Sequence, residues 1–366
     1  MKIVVCPDSY KGTFTAMEIA LLMEKAIKDV APEHQVVLMP LSDGGEGFVD
    51  VWNHVYGGTM IESDSLNADG EPLKSKALIT EAGVGVIECS SSCGLSHSGL
   101  KHNILTSTSR GLGIDIRTLM EKGIKKIAIG LGGSATNDGG VGALYELGVR
   151  FTNHQGTDFI PSGGSLSQIR YIDINQTREL FNNIELTLFT DVTNPLTGIK
   201  GATQVFSKQK GASLEATKIL ETNMLQFETI LSKMGVDPNR PGMGAAGGMS
   251  AGLSLLPNVM VSSGINVILE TLDAASIMDD ADLLITGEGR LDEQSFSGKV
   301  LSGLIDLQKG KKAKIISMPA TASNIGVKLA IASNVGCFPL FPSGSVVVDD
   351  VAMVLKQLNE QLGKLL

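Results

Sequence analysis

Aromatic side chains make up only 4 % of this 366-residue chain, and Trp52 is its single tryptophan. Platforms on which bases or sugar rings stack are therefore scarce. Basic residues are outnumbered too. The net charge of −9 repels nucleic acid and anionic membranes, so only a local cationic pocket would draw in a small anionic substrate. No apolar stretch approaches the roughly 20 residues of a membrane helix. The opening run Ile3-Val4-Val5-Cys6 is too short for a signal peptide. Cysteine is limited to Cys6, Cys89, Cys93 and Cys337. The Cys89-Ser90-Ser91-Ser92-Cys93 pair has no second pair to complete a zinc site, which implies reduced thiols in a cytoplasmic protein. The five histidines show no metal-binding spacing.

Glycine, by contrast, is abundant, at 43 residues, and points to many tight turns or to backbone brought close to ligands. The length implies about two domains. Ile3-Val4-Val5-Cys6 reads as a buried strand, Thr15 with Glu18 as the capping box of an amphipathic helix, and Val36-Val37-Leu38-Met39 as a second strand. The same alternation returns near the C-terminus, with strands at Leu283-Leu284-Ile285, at Lys314-Ile315-Ile316 and around residues 338–341. A final helix there is capped by Asp349 and Asp350. Between these ends, short alternating segments at 74–80 and 84–89 suggest antiparallel strands. The expected architecture is α/β. A doubly wound, flavodoxin-like parallel sheet is built from residues 1–72 plus 262–366, and a second α/β domain, 73–261, is inserted into it.

Five polar, glycine-rich segments carry the chemistry, several of them directly after predicted strands, where open α/β sheets bind ligands. Gly130-Leu131-Gly132-Gly133-Ser134-Ala135-Thr136-Asn137-Asp138-Gly139-Gly140 follows a strand and opens a helix. Its amides, with Ser134 and Thr136 as further donors, suit phosphate oxygens, and the plainer alternative is a tight strand-to-helix turn. Gly287-Glu288-Gly289-Arg290-Leu291-Asp292 groups carboxylates as a Mg²⁺ site does, or forms a solvated loop with an internal ion pair. Asp191 is either a strand-end carboxylate for catalysis or a turn-former ahead of Pro195. The other two segments are Asp8-Ser9-Tyr10-Lys11-Gly12 and Ser42-Asp43-Gly44-Gly45-Glu46-Gly47. Two tempting motifs fail on context. Gly242-Met243-Gly244-Ala245-Ala246-Gly247 is a dinucleotide fingerprint without its strand. Gly248-Met249-Ser250-Ala251-Gly252 is a hydrolase elbow with no histidine after it.

Taken in order along nearly the whole chain, these stretches resemble the bacterial glycerate kinase family. Further matches are Ser109-Arg110-Gly111, Gly163-Gly164-Ser165-Leu166, Gln209-Lys210-Gly211-Ala212 and Gly298-Lys299. The resemblance implies ATP and Mg²⁺, D-glycerate as acceptor, and phosphorylation at the 2-hydroxyl. In the assignment built on it, Gly132, Gly133, Ser134 and Asn137 bind phosphates, and Glu288 and Asp292 hold Mg²⁺. Lys11 and Arg290 face the glycerate carboxylate or the moving phosphoryl group, and Asp191 is the base, with Asp43 and Asp138 next in line. Competing readings are a kinase for another small hydroxy acid and a non-catalytic nucleotide-binding module. The expected partners are a small-molecule substrate and no nucleic acid or membrane, and self-association is compatible with all of this.

Overall fold

A computed structural model describes residues 1–10, 13–99, 102–263, 265–296, 298–341 and 350–366. The chain divides into two compact units, Met1–Val55 with Gly264–Leu366, and Tyr56–Ser263. The first cut thus falls before the expected 72/73 junction. The strand Gly58–Leu66 pairs along its full length with Pro72–Thr80, and this ties residues 56–72 to the inserted unit.

In the terminal unit five strands lie in the order Val335–Cys337, Lys314–Ser317, Leu283–Thr286, Lys2–Val5, Gln35–Leu38, and every pairing is parallel. Counted along this unit, that order is 5-4-3-1-2, the flavodoxin-like winding, whose ligand crevice opens at the carboxyl ends of strands 1 and 3. The last strand ends at Cys337, so the expected strand around 338–341 is displaced toward the N-terminus. Thr15 and Glu18 form the capping box of helix Ala16–Val30. Ile19, Met23 and Ile27 on its apolar stripe are buried with Val354, Leu358 and Leu362 of helix Val351–Leu362, which Asp350 caps. Asp349 lies outside the described residues.

The inserted unit holds a mixed sheet in the order Val259–Ser263, Glu185–Thr190, Lys126–Gly130, Val84–Glu88, Pro72–Thr80, Gly58–Leu66. The first four strands run parallel, Pro72–Thr80 returns antiparallel to them, and Gly58–Leu66 pairs antiparallel with it. Val84–Glu88 is therefore antiparallel to one neighbour only. Its other edge joins the parallel set, so its carboxyl end lies level with those of Lys126–Gly130 and Glu185–Thr190. Among the described residues no helix is long and apolar enough to cross a membrane.

Candidate functional site

Three parallel strand ends in the inserted unit bring polar residues side by side. Glu88 pairs with Gly130, and Gly130 with Phe189, and the pairing continues as the Leu131 amide donates to the Phe189 carbonyl at 3.0 Å. Beyond these ends Cys89–Ser91 forms a short 3-10 turn, and Leu131-Gly132 and Asp191 begin the loops after the other two strands. Gly133 has φ +75, and a Cβ there would meet the Ser90 Cβ at 3.2 Å, so this corner needs glycine on both conformational and steric grounds. Gly133 is exposed and Asp191 half-exposed, while Ser134 is buried. The Ser90 hydroxyl donates to the Glu88 carboxylate at 2.9 Å, and Ser91 does so at 3.4 Å.

Beyond Ser134 the segment turns inward. Asn137 is fully buried and its amide donates to Thr203 Oγ1 at 3.0 Å, while its Oδ1 and the Thr136 hydroxyl find no partner among the described residues. Asp138 is fully buried as well. It accepts from the Ser109 amide and hydroxyl, both at 2.8 Å, and from the Gly140 and Gly142 amides at 3.0 and 3.3 Å. Burial pushes its carboxyl up, and these donors oppose the shift. The residue organises the turn into helix Val141–Glu146. The glycines at 244–252 pack against this turn from the other side. Added Cβ atoms at Gly247 and Gly252 would collide with the Thr136 and Gly139 carbonyls, and the Gly139 amide donates to the Gly247 carbonyl at 3.0 Å. The fingerprint-like glycines thus serve backbone packing, and Ser250 is buried with its hydroxyl on the Gly242 carbonyl at 2.6 Å.

One lysine joins this arrangement. Lys210 donates to Ser134 Oγ and to the Thr136 carbonyl, each at 2.8 Å, and burial lowers its ammonium to about 8. In the sequence Lys210 stands out only as part of Gln209-Lys210-Gly211-Ala212, Ser90 only between two cysteines, and Glu88 only within an alternating segment. The usable signal for Glu88 was its place as the final residue before a serine-rich turn.

The terminal unit gathers carboxylates at its own switch point. The Asp8 amide donates to the Gly287 carbonyl at 2.9 Å and the Leu41 amide to the Pro7 carbonyl at 2.9 Å, so Asp8, Asp43 and Glu288 follow three neighbouring strand ends. Glu288 accepts from Ser295 Oγ at 2.8 Å and its charge raises the Tyr10 hydroxyl, although burial is the larger cause. Tyr10 donates to the Met318 carbonyl, and an added Cβ on Gly287 would collide with the Tyr10 hydroxyl. Arg290 is exposed on the short strand Arg290–Leu291. Asp292 uses Oδ1 to accept from the Gln294 amide at 2.9 Å, and no hydrogen bond among the described residues engages its second oxygen. Lys11 lies outside the described residues. The oxygen donors suit magnesium, which takes one or two carboxylates beside phosphates and water. No group of three or more His, Cys, Asp or Glu forms a protein cage among the described residues. The predicted residues thus divide, with Asp191, Gly132, Gly133, Ser134 and Asn137 in the inserted unit and Glu288, Arg290 and Asp292 in the terminal one.

Residues 3–365 match the model of the glycerate kinase family. A Bacillus subtilis protein named glycerate kinase is 37 % identical over 327 residues, covering 88 % of this chain and 86 % of its own. Escherichia coli glycerate 2-kinase is 36 % identical over 332 residues, covering 89 % and 87 %. A crystal structure from Salmonella typhimurium, of a protein provisionally named glycerate kinase 2, aligns with a TM-score of 0.82 at 30 % identity. It covers 100 % of this chain and 97 % of that one.

Proposed function

The chain belongs to the glycerate kinase family, and we propose that it moves the γ-phosphoryl group of ATP to the 2-hydroxyl of D-glycerate with magnesium present. It is a phosphotransferase with an alcohol acceptor, glycerate. The finer reading is supported by the loops that begin at Cys89, Leu131 and Asp191, each following one of three neighbouring parallel strands, with Gly133 packed close to Ser90.

Phosphoryl transfer asks a protein for positioning, charge neutralisation and a proton acceptor. The Gly132 and Gly133 amides and the Ser134 hydroxyl bind donor phosphates, and Asn137 supports that turn from behind. Asp191, half-exposed at its strand tip, takes the proton from the attacking hydroxyl. Asp138, buried under four donors, is unsuited to that role. Lys11 and Arg290 neutralise the glycerate carboxylate or the moving phosphoryl group. Glu288, with the second oxygen of Asp292, would hold magnesium, whose charge offsets that of the phosphates when bound. Four free thiols fit a cytoplasmic setting.

The test is release of ADP from ATP/Mg²⁺ across a panel of small hydroxy acids, with the product's phosphate position assigned by NMR. D-glycerate is expected to exceed the others and to yield 2-phosphoglycerate. A 3-phosphorylated product, or faster turnover of a different acid, would overturn the finer assignment.

A further inference from the structure

One charged side chain supports the Gly132–Ser134 turn from behind. Lys210 closes the 3-10 turn Lys208–Lys210 and is 4 % exposed. No ion pair among the described residues includes it. The titratable groups close enough to act on it are the buried Cys89 and Cys93 thiols and Asp138, and Asp138 already accepts four hydrogen bonds. A buried ammonium whose direct acceptors, Ser134 Oγ and the Thr136 carbonyl, are neutral is poorly compensated, and the penalty falls when an anion docks close by. Ser134 supplies a second observation. Its Oγ accepts the ammonium proton, so its own O–H is left to donate elsewhere, and an oxygen already polarised by a cation is the stronger donor.

We propose that Lys210 is a positioning residue for phosphoryl transfer. It clamps Ser134 Oγ and the Thr136 carbonyl so that the Ser134 hydroxyl and the Gly132 and Gly133 amides converge on one nucleotide phosphate. It is also the local positive charge that draws this anion into a protein of net charge −9. The inference rests on the reading of this turn as the donor site. Because burial holds Lys210 near 8, the unliganded protein loses this charge as pH rises through that value. A docked phosphate retains the proton, so binding near pH 8 draws a proton from solution.

Calorimetric binding of a non-hydrolysable ATP analogue, from pH 6.5 to 9.5 and in buffers of different ionisation heat, tests this on the full-length protein. Wild type should lose affinity about tenfold across the upper part of that range and take up a proton on binding near pH 8. Lys210→Met should bind weakly throughout, without slope or proton uptake, and a cycle with Ser134→Ala should be strongly non-additive. If Lys210→Met matches wild type while Gly133→Val binds poorly, the lysine proposal fails and the donor-site reading stands. If neither variant is weakened, the donor-site reading itself fails. Should Lys210→Met not fold, a flat wild-type affinity with no proton uptake overturns the proposal.

Discussion

At the scale of single residues, Asp191 and Lys210 illustrate opposite uses of charge. Asp191→Asn preserves the shape of its turn, so the thermal midpoint and donor affinity should hold while kcat falls by about 10²–10⁴, the usual loss of a general base. A kcat within a few-fold of wild type would remove Asp191 from the chemistry. Glu288→Gln should raise the magnesium concentration needed for half-maximal rate, and unchanged metal dependence would take the ion away from this tip. Lys210 carries a stability signature as well. Its ammonium titrates near 10.5 when unfolded and near 8 when folded, so between those values the unfolded chain binds more protons. Stability therefore rises with pH across that window, and below it the buried charge costs up to about 3 kcal/mol. Lys210→Met forfeits two hydrogen bonds, at roughly 1 kcal/mol each, and gains relief from that cost. Its midpoint at pH 7 should equal or exceed that of wild type, and the advantage should vanish by pH 10. A uniformly lower midpoint would mean that the ammonium is stabilised in the fold.

The next scale is the element, where the 130–140 turn depends on glycines that it does not contain. Gly247 and Gly252 approach its carbonyls too closely for any side chain. Gly252→Val should destabilise the inserted unit by several kcal/mol, as overpacking against backbone does, and Gly133→Val should chiefly weaken nucleotide binding. Equal losses of stability in the two variants would show that Gly133 serves packing alone. This division of labour was only half legible in the sequence. Capping residues such as Thr15 with Glu18, and strands flanked by punctuating Pro7 or Pro40, announce themselves locally. Gly132 and Asp191 stood out because glycines and an acid followed clear apolar runs. Lys210 could not be placed, since its two acceptors lie 76 and 74 positions away and nothing in Gln209-Lys210-Gly211 marks a buried ammonium. The early cut at residues 55/56 was hidden for a related reason. Gly58–Leu66 alternates like any edge strand, and only its pairing with Pro72–Thr80 assigns it to the inserted unit.

On the scale of the whole molecule, each unit has its own apolar core, one gathered around Leu112, Leu144 and Phe227, the other around Ile19, Met23 and Leu358. Scanning calorimetry should accordingly resolve two transitions, and a saturating ATP analogue at 100 times its Kd should stabilise the inserted unit's transition by about 2.7 kcal/mol. A single transition moved as a whole by nucleotide would tie the two cores into one cooperative block. The terminal unit also has an unusual order of assembly. Its interior strand Lys2–Val5 lies between Gln35–Leu38 and Leu283–Thr286, so one edge of Ile3-Val4-Val5 waits for a partner that the ribosome supplies only much later. At ordinary translation speeds the wait is on the order of 15–55 s, longer than most small domains take to fold. Through that interval the nascent chain carries an unpaired apolar strand edge, and the inserted unit becomes complete only near its end. Early termination between residues 264 and 282 should therefore release a product prone to aggregation, although its inserted unit is intact.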